Sequence, residues 1–242
     1  MFRFITEPWG WILIAIALVH YFRRRPDTFW LWIIIFGGWL GSLVYIFVEV
    51  IPDFSLLGDS FQRFNRGKRI KELVSLVRDN PSAGNYEELA DMYFDDKKFS
   101  QAKECYDRAI SSRTDSPHPF YRRAVCEIEL GEFPAAVKDL EGVVANEPQY
   151  DFLRAPALLA HAYANTGNPQ KAAEIFSAVV QTSTSSETYY NYALFLQSQG
   201  KKEEAKQWAQ RLLDKKYSMP AYLRRRERPW FWKAKLLLKR LQ

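Results

Sequence analysis

The chain has 242 residues, of which 48% are apolar and 16% aromatic, so its composition excludes an intrinsically disordered protein. Two cysteines exclude a disulfide scaffold and a zinc site built on four cysteines, and three histidines leave few metal ligands. The net charge of +6 is unevenly distributed: residues 1–58 are neutral, 59–210 sum to −3 and 211–242 carry +9. This asymmetry favours an acidic partner for the C-terminal segment, such as anionic lipid, nucleic acid or an acidic protein.

Two apolar runs in the first part of the chain predict membrane helices. Residues 29–51 contain one charged side chain, Glu49, and at about 1.5 Å per residue this run can cross a hydrocarbon core of about 30 Å. Residues 8–22 form a shorter run that reaches spanning length only with help from the residues before it, and a cleaved signal peptide is the alternative. The short connection between the runs predicts an antiparallel hairpin. Since charge enters hydrocarbon at high cost, we expect three residues of this connection at the membrane interface: Arg23, Arg24 and Arg25.

Small residues at a four-residue spacing predict a close helix contact in the second run. Gly37 and Gly41 form a GxxxG pattern, which lets another backbone approach closely. We expect this pattern to pack against Ala15 and Ala17 of the first helix. A dimer interface between two copies of the chain is the alternative.

A short apolar helix, a basic turn and the run PDTFWLWIIIFGGWLGSLVYIFVEVIPD follow one another here. This arrangement resembles the two-helix N-terminal membrane segment of phospholipase D-type enzymes such as cardiolipin synthases, over about residues 8–53. Those enzymes have a catalytic H-x-K-x4-D motif further along the chain. In this sequence His20, His118 and His161 are followed by Tyr-Phe, Pro-Phe and Ala-Tyr, so that motif does not occur. The resemblance therefore implies a membrane anchor and not a phosphodiesterase.

A repeat with a period near 34 residues follows the apolar segment. Its pattern has an apolar residue at position 7, a small residue at 8, an aromatic at 11, glycine near 15, alanine at 20, an aromatic at 24 and alanine at 27. Four copies begin at residues 83, 117, 153 and 186, so their spacings are 34, 36 and 33. The small residues at positions 8 and 20 are Ala90 and Ala102, Ala124 and Ala136, Ala160 and Ala172, and Ala193 and Ala205.

This pattern resembles the tetratricopeptide repeat over about residues 83–219. The resemblance implies an all-α solenoid in which the two helices of each repeat, helix A and helix B, cross closely at small residues while neighbouring repeats stack. Three repeats have glycine after helix A, whereas repeat one has Lys97 there. Repeat two departs from the pattern with Arg123 at position 7 and Glu127 at position 11.

The remaining segments are assigned by their place relative to the repeats. We predict a transmembrane helical hairpin over 1–52, a linker over 53–65, the tetratricopeptide solenoid with a first capping helix over 66–219, and a basic capping segment over 220–242. In the last segment Trp230 and Trp232 lie beside lysines and leucines. A capping helix with a solvated charged face is the simpler interpretation. Contact of these tryptophans with a membrane interface of anionic lipid is the alternative.

The second resemblance also implies a binding groove lined by helices A, with positions 2, 5, 9, 12 and 13 facing it. The residues expected there are Glu87, Asp91, Phe94, Tyr121, Val125, Arg154, His161, Asn165, Tyr190 and Leu194. Relatives that dock chaperones hold an acidic C-terminal peptide with Lys or Arg at position 5 and Asn at position 9. Repeat one has Glu87 and Asp91 instead, so we expect a peptide with apolar residues and some positive charge.

The sequence lacks a Walker loop, a dinucleotide fingerprint, an H-E-x-x-H motif and a nucleophile elbow, so we predict no enzyme activity, no cofactor and no metal. Cys105 and Cys126 are expected to be buried free thiols. The predicted function is a membrane-anchored scaffold or adaptor that binds a protein or peptide partner. The alternative is an accessory or regulatory subunit of a lipid-metabolism or envelope-assembly complex, and a lipid enzyme is a less favoured third class. Nucleic acid is a less favoured partner of the aromatic tail. We expect the bacterial inner membrane, with the solenoid in the cytoplasm.

Overall fold

The computed structural model describes residues 8–24, 28–50, 55–111 and 116–241. Throughout these ranges the regular secondary structure is helical, which confirms the predicted all-α class. The chain divides into two compact units, Met1–Arg69 and Ile70–Gln242. The first unit contains the apolar segment and the second contains the repeats. The finer domain boundaries given above stay predictions.

Two apolar helices pack together in the first unit. Helix α1 spans Pro8–Arg24, and helix α2 spans Phe29–Tyr45 and continues into a π-helical turn at Ile46–Val50. Their shared apolar cluster contains the buried residues Ala17, Tyr21, Ile34 and Tyr45. Among the described residues one segment, Phe29–Glu49, is long and apolar enough to cross a membrane, with a mean hydropathy of 2.1. The predicted pair of spans is thus reduced to one candidate, because the apolar part of α1 is shorter.

Helix α2 doubles back on itself at Gly38, where the backbone has φ 56° and ψ −134°. Glycine reaches these angles because it has no Cβ, whereas other residues would be strained there. The ring centroids of Trp30 and Tyr45 are 5.5 Å apart. In a straight helix, at 1.5 Å per residue, these two positions would be about 22 Å apart. The segment therefore consists of two antiparallel arms joined at Gly38.

The small residues of α2 make a different contact from the one predicted. A Cβ placed on Gly41 would lie 2.0 Å from the carbonyl oxygen of Ile33, so the two arms approach as closely as glycine allows. Around Gly37 an added Cβ would meet no atom within 4 Å. The expected packing of the GxxxG pattern against Ala15 and Ala17 is corrected, because Gly41 faces the opposite arm of its own helix.

Helix α3 spans Ser55–Asp79 and begins inside the segment predicted as a linker, most of which is therefore helical. The last part of α3 agrees with the predicted capping helix. Ile70 and Leu73 are buried there in a cluster with Leu89 of the first repeat. Their three-residue spacing places both side chains on one face of the helix.

Four helix pairs follow, one for each predicted repeat. They are α4 Ala83–Asp95 and α5 Phe99–Ser111, α6 His118–Leu130 and α7 Phe133–Asn146, α8 Tyr150–Asn165 and α9 Pro169–Thr182, and α10 Ser186–Ser198 and α11 Lys202–Ser218. The alanines at positions 8 and 20 of all four repeats have no exposed surface, which confirms the predicted register. Tyr106, Leu140 and Phe176, at position 24 of three repeats, are also completely buried. Small side chains thus permit the close helix crossing, and large ones fill the space beside it.

The turn between the two helices of each repeat requires a left-handed residue at position 15. Gly131, Gly167 and Gly200 have φ angles of 80°, 75° and 78°. Lys97 occupies the same position in repeat one with a φ of 59°. Repeat one therefore makes the same turn with a residue whose Cβ disfavours that conformation.

Two further helices complete the described chain, α12 Ala221–Arg226 and α13 Arg228–Leu241. The side chains that α13 buries are Phe231, Ala234, Leu237 and Leu241, and they join clusters formed by α10 and α11 of repeat four. Without α13 the last repeat would expose this apolar surface to water. The predicted capping role of the C-terminal segment agrees with this packing.

Candidate functional site

Polar contacts connect each helix A to the next along one face of the repeats. The pairs are Asp91 of α4 with His118 of α6, Tyr121 of α6 with Asp151 of α8, and Arg154 of α8 with Glu187 of α10. All of them join successive helices A. They therefore mark the face on which the groove was predicted, which is called the A face below.

The acidic end of the A face lies in repeat one. Asp91 Oδ1 accepts a hydrogen bond from the Tyr106 hydroxyl at 2.5 Å and lies 3.4 Å from His118 Nε2 and 4.0 Å from Arg122 Nε. Burial acts to raise the pKa of Asp91, but the hydrogen bonds from His118 and Tyr106 and the nearby positive charges lower it overall. Glu87 lies 3.9 Å from His118 Nε2. Repeat one thus presents two carboxylates, and Asp91 is held in its charged form.

The two apolar residues predicted for the groove have different surroundings. Phe94 is half-buried, and the guanidinium carbon of Arg122 lies 4.5 Å from its ring centroid, a cation–π geometry. Val125 is only 6% exposed and belongs to the main apolar core. The prediction that Val125 lines an open surface is therefore wrong, because neighbouring helices cover it.

A buried tyrosine and a paired arginine occupy the middle of the A face. Tyr121 is 4% exposed, and its hydroxyl donates to Asp151 Oδ2 at 2.5 Å and accepts from Arg154 Nη1 at 3.0 Å. Arg154 also donates from Nε to Glu187 Oε2 at 2.6 Å. Burial raises the pKa of the Tyr121 hydroxyl, so it stays protonated. Tyr121, predicted as a ligand contact, instead helps to hold three successive helices A together.

The groove residues predicted in repeat four are contacted by the C-terminal helix. The rings of Tyr190 and Trp230 have centroids 5.7 Å apart, and Lys233 Nζ lies 5.7 Å from the centroid of Tyr190. Leu194 packs against a cluster that contains Leu237. Helix α13 thus covers the positions at which Tyr190 and Leu194 were expected to face a ligand.

His161 and Asn165 form a more open part of the A face in repeat three. The His161 ring meets the edge of Phe133 at a centroid distance of 5.9 Å. Burial lowers the pKa of His161, so its imidazole is neutral near pH 7. Asn165 is exposed, and its amide nitrogen donates to the His161 carbonyl at 2.8 Å. A neutral imidazole and an exposed amide can both donate and accept hydrogen bonds, as binding of a peptide backbone requires.

The residues predicted at a membrane interface differ in exposure. Trp230 is half-buried against Tyr190, whereas Trp232 is 63% exposed. The side chains of Arg23 and Arg24, at the end of α1, and the whole of Arg25 lie outside what the structure describes.

Three charged residues of the A face were not among the predicted site residues: Arg122, Asp151 and Glu187. The spacing between repeats two and three gave one signal, because 36 residues exceed the 34-residue period and leave extra residues ahead of the start of repeat three at residue 153. Asp151, Phe152 and Leu153, near the start of α8, all have left-handed backbone angles. That geometry turns Asp151 towards Tyr121 and leaves Phe152 94% exposed.

Arg123 and Glu127, the two residues of repeat two that differ from the repeat pattern, belong to one buried polar cluster away from the A face. Arg123 donates to Asp139 and to Asp107, with distances of 2.6 Å from Nε and 2.7 Å from Nη1 respectively. Glu127 is 3% exposed, and its buried Oε2 has no hydrogen-bond partner within the described part of the chain. Burial raises the pKa of Glu127 to about 7.

Both cysteines are free thiols, as the sequence predicted. Cys126 is completely buried and Cys105 is half-buried, and burial raises the pKa of Cys105 to about 11. Both are therefore protonated and unreactive near neutral pH. Among the described residues, no group of three or more His, Cys, Asp or Glu side chains is arranged to hold a metal ion.

Family profiles described as "Tetratricopeptide repeat" match residues 87–151 and 121–187, and a second profile of that description matches 186–214. Together they span just over half of the chain. These matches lie outside residues 8–53. The resemblance of that segment to phospholipase D-type membrane segments is not supported by them.

A curated relative is Hsp70-Hsp90 organizing protein 2 of Arabidopsis thaliana, which is 29% identical over 94 residues. The match covers 38% of this chain and 16% of the relative, so the chain spans only a small part of that protein's length. Activities and partners of the whole relative therefore do not follow from the match.

Solved structures with a similar fold include MamA 41-end from Desulfovibrio magneticus RS-1, with a TM-score of 0.58, 15% identity and coverage of 69% of this chain and 94% of that one. A tetratricopeptide repeat protein from Parabacteroides merdae has a TM-score of 0.57, 18% identity and coverage of 78% and 70%. YrrB, described as a TPR protein with an unusual peptide-binding site, has a TM-score of 0.54, 18% identity and coverage of 67% and 82%. These likenesses concern the fold, and with the profile matches they show that the chain belongs to the tetratricopeptide repeat proteins.

Proposed function

We propose that the chain is a membrane-anchored scaffold that binds a peptide segment of a protein partner on its A face. Tetratricopeptide repeat proteins mediate protein–protein interactions and are in general not enzymes. The observation that carries the proposal is the pair of partly exposed carboxylates Glu87 and Asp91 beside the half-buried Phe94. Charge and apolar surface together match a short peptide better than a small metabolite.

The charge of this surface suggests the chemistry of the peptide. Asp91 is ionised, and Asp95, on the same helix, is exposed and also acidic. Docking of an acidic C-terminal peptide would need positively charged or amide side chains at positions 5 and 9. Repeat one has the carboxylates Glu87 and Asp91 there. A segment with apolar residues and some positive charge is therefore the proposed ligand, although one relative is named for organising Hsp70 and Hsp90.

The membrane part of the proposal rests on the N-terminal unit. The segment Phe29–Glu49 has the hydropathy of a membrane helix, and large apolar side chains of α1 and α2 are exposed. The bacterial inner membrane with a cytoplasmic solenoid stays the proposed location. In the basic tail, Trp232 and the exposed Tyr222 lie among arginines and lysines, which fits a secondary contact with anionic lipid.

The binding proposal can be tested with full-length protein in detergent micelles and fluorescent peptides of equal length and equal apolar content. The peptides differ only in charge: basic, neutral or acidic. We expect the basic apolar peptide to bind tightest. Glu87→Gln should weaken that binding by roughly fivefold, since an exposed ion pair contributes up to about 1 kcal/mol.

A matched control is Glu174→Gln, which removes one negative charge from an exposed position on helix B of repeat three. This variant should bind the basic peptide like the unchanged protein. Equal affinity for basic and acidic peptides, or equal losses for the two variants, would contradict a ligand site on the A face. The alternative, an accessory subunit of a lipid or envelope complex, predicts that crosslinking in native membranes attaches the chain to a membrane enzyme.

A further inference from the structure

We propose that Phe29–Glu49 is a re-entrant membrane segment, which enters the hydrocarbon and leaves it on the same face of the bilayer. The inference rests on the proposed membrane attachment and specifies how the segment sits in the lipid. By length and composition the segment could cross the membrane as one helix. Its backbone instead reverses at Gly38, so its two ends lie close together.

Three contacts fix the reversal independently of the dihedral angles. The Trp30 and Tyr45 rings are neighbours at 5.5 Å, and Gly41 lies against the backbone of Ile33. The hydroxyl of Tyr45 also lies 2.9 Å from Nδ1 of His20, near the end of α1. Helix α2 begins shortly after α1 ends. Tyr45, near the end of α2, therefore lies close to the point at which α2 begins.

The surface of the two arms fits lipid hydrocarbon. Phe36 is 79% exposed, Ile35 57% and Leu40 56%, and all three lie within three residues of the bend. The run from Phe29 to Val48 has no charged side chain. Contiguous exposed apolar surface of this extent is unfavourable in water. The buried hydroxyl of Ser42 has a partner, since its Oγ donates to the Gly38 carbonyl at 2.8 Å.

The dimensions of the arms agree with half of a bilayer. The first arm, residues 29–37, rises about 14 Å at 1.5 Å per residue. One half of a hydrocarbon core of about 30 Å is about 15 Å. The bend at Gly38 would therefore reach the middle of the membrane. Trp30 and Tyr45, at the open end, would lie at the interface that such aromatic rings favour.

The distribution of positive charge supports the same arrangement. In a two-span hairpin, the arginines at 23–25 would face the side opposite to the basic residues that follow α2, which are Arg63, Arg66, Lys68 and Arg69. A re-entrant segment places both groups on one side. The positive-inside rule favours such clustering on the cytoplasmic side.

The test uses the full-length chain in bacterial membranes, with Cys105→Ala and Cys126→Ala to remove the native thiols. Thr28→Cys reports the side on which the segment begins, and Ser198→Cys reports the side of the repeats. Both positions are exposed. A membrane-impermeant maleimide is applied to spheroplasts and to inside-out vesicles, and labelling in detergent shows that each thiol is reactive.

We expect both thiols to be labelled in inside-out vesicles and neither in spheroplasts. Labelling of the two thiols in opposite preparations would overturn the re-entrant segment and restore a membrane span. Alkaline extraction is measured first on the same membranes. Release of the chain by alkali would refute the proposed membrane attachment itself, which is a different result from a change in sidedness.

A second measurement tests the reversal directly. Cysteines replacing Trp30 and Tyr45 in the same thiol-free chain should be joined within one chain by a short thiol crosslinker in intact membranes. In a straight helix these positions would be about 22 Å apart, beyond the reach of such a reagent. Absence of the intrachain product, with each single cysteine still reactive in detergent, would overturn the proposal.

Discussion

The guanidinium of Arg123 donates two hydrogen bonds to the carboxylate of Asp139, from Nε at 2.6 Å and from Nη2 at 2.7 Å. The pair joins the two helices of repeat two at a position where the repeat pattern has an apolar residue. The Arg123 side chain is 18% exposed and that of Asp139 6%. A buried, bidentate ion pair therefore replaces apolar packing at this crossing.

Asp139→Ala should be strongly destabilising, because it leaves the Arg123 guanidinium buried without its main partner. The expected loss is about 3–5 kcal/mol in free energy of unfolding, measured by urea denaturation of the full-length protein in detergent. Asp107→Ala is the control, since Asp107 bonds to the same guanidinium but its side chain is 48% exposed. That variant should lose at most about 1 kcal/mol. Similar losses for both would contradict the buried ion pair.

Glu127 should make the stability of the repeats depend on pH. Burial raises its pKa in the folded protein to about 7, from the ordinary value of 4.5 for a glutamate side chain. Between these pH values the folded state binds a proton that the unfolded state has released, so stability falls as pH rises through this window. Glu127→Gln removes this penalty and should raise the free energy of unfolding at pH 8 by up to about 3 kcal/mol.

The matched control is Glu129→Gln, an exposed carboxyl on the same helix. Thermal unfolding of both variants at pH 5 and pH 8 gives the comparison. We expect Glu127→Gln to exceed the unchanged protein in melting temperature at pH 8 and to differ little at pH 5. A gain of equal size at both pH values would show that the carboxyl is not protonated in the folded state.

Lys97→Gly should stabilise repeat one. Lys97 has a φ of 59° at the turn position where the other repeats have glycine. A residue with a Cβ is strained there, so replacement should contribute about 1 kcal/mol in free energy of unfolding. Lys98→Gly, one residue later, is the control. Lys98 does not have a left-handed backbone, so this variant relieves no strain and should leave the free energy of unfolding unchanged or slightly lower. Equal melting temperatures for the two variants would argue against strain at Lys97.

Gly38→Ala should weaken the reversal of α2, because φ 56° with ψ −134° is strained for alanine. The expected cost is about 1–3 kcal/mol, seen as a lower yield of the intrachain crosslink between cysteines at positions 30 and 45. Gly37→Ala is the adjacent control, since its φ is not positive and a Cβ there would meet open space. Unchanged yields for both variants would mean that glycine at 38 does not determine the bend.

The sequence by itself determined the helix pairs and their register. Alanines at positions 8 and 20 recur with the repeat period, and all eight are completely buried. Glycine at position 15 marked the turn in three repeats, and its left-handed backbone explains why. These features are local or depend on neighbouring repeats alone, so a periodic pattern is enough to predict them.

Only the tertiary structure decided which residues of the A face are free. Tyr121 and Tyr190 occupy the same position in their repeats, yet Asp151 and Arg154 surround the first, and α13 covers the second. Repeat position gives the direction of a side chain and not what packs over it. Asp151 precedes the start of repeat three at residue 153, where the longer 36-residue spacing falls, so the repeat pattern gives no position for it.

The same distinction applies to the apolar segment. Its composition predicted a membrane helix, because hydropathy averages side chains along the chain and contains no information on direction. Whether such a run is straight depends on the backbone at one residue, Gly38, and on the contact of Gly41 with Ile33. Glycine permits that reversal in the sequence, but the packing of the two arms against α1 is what selects it.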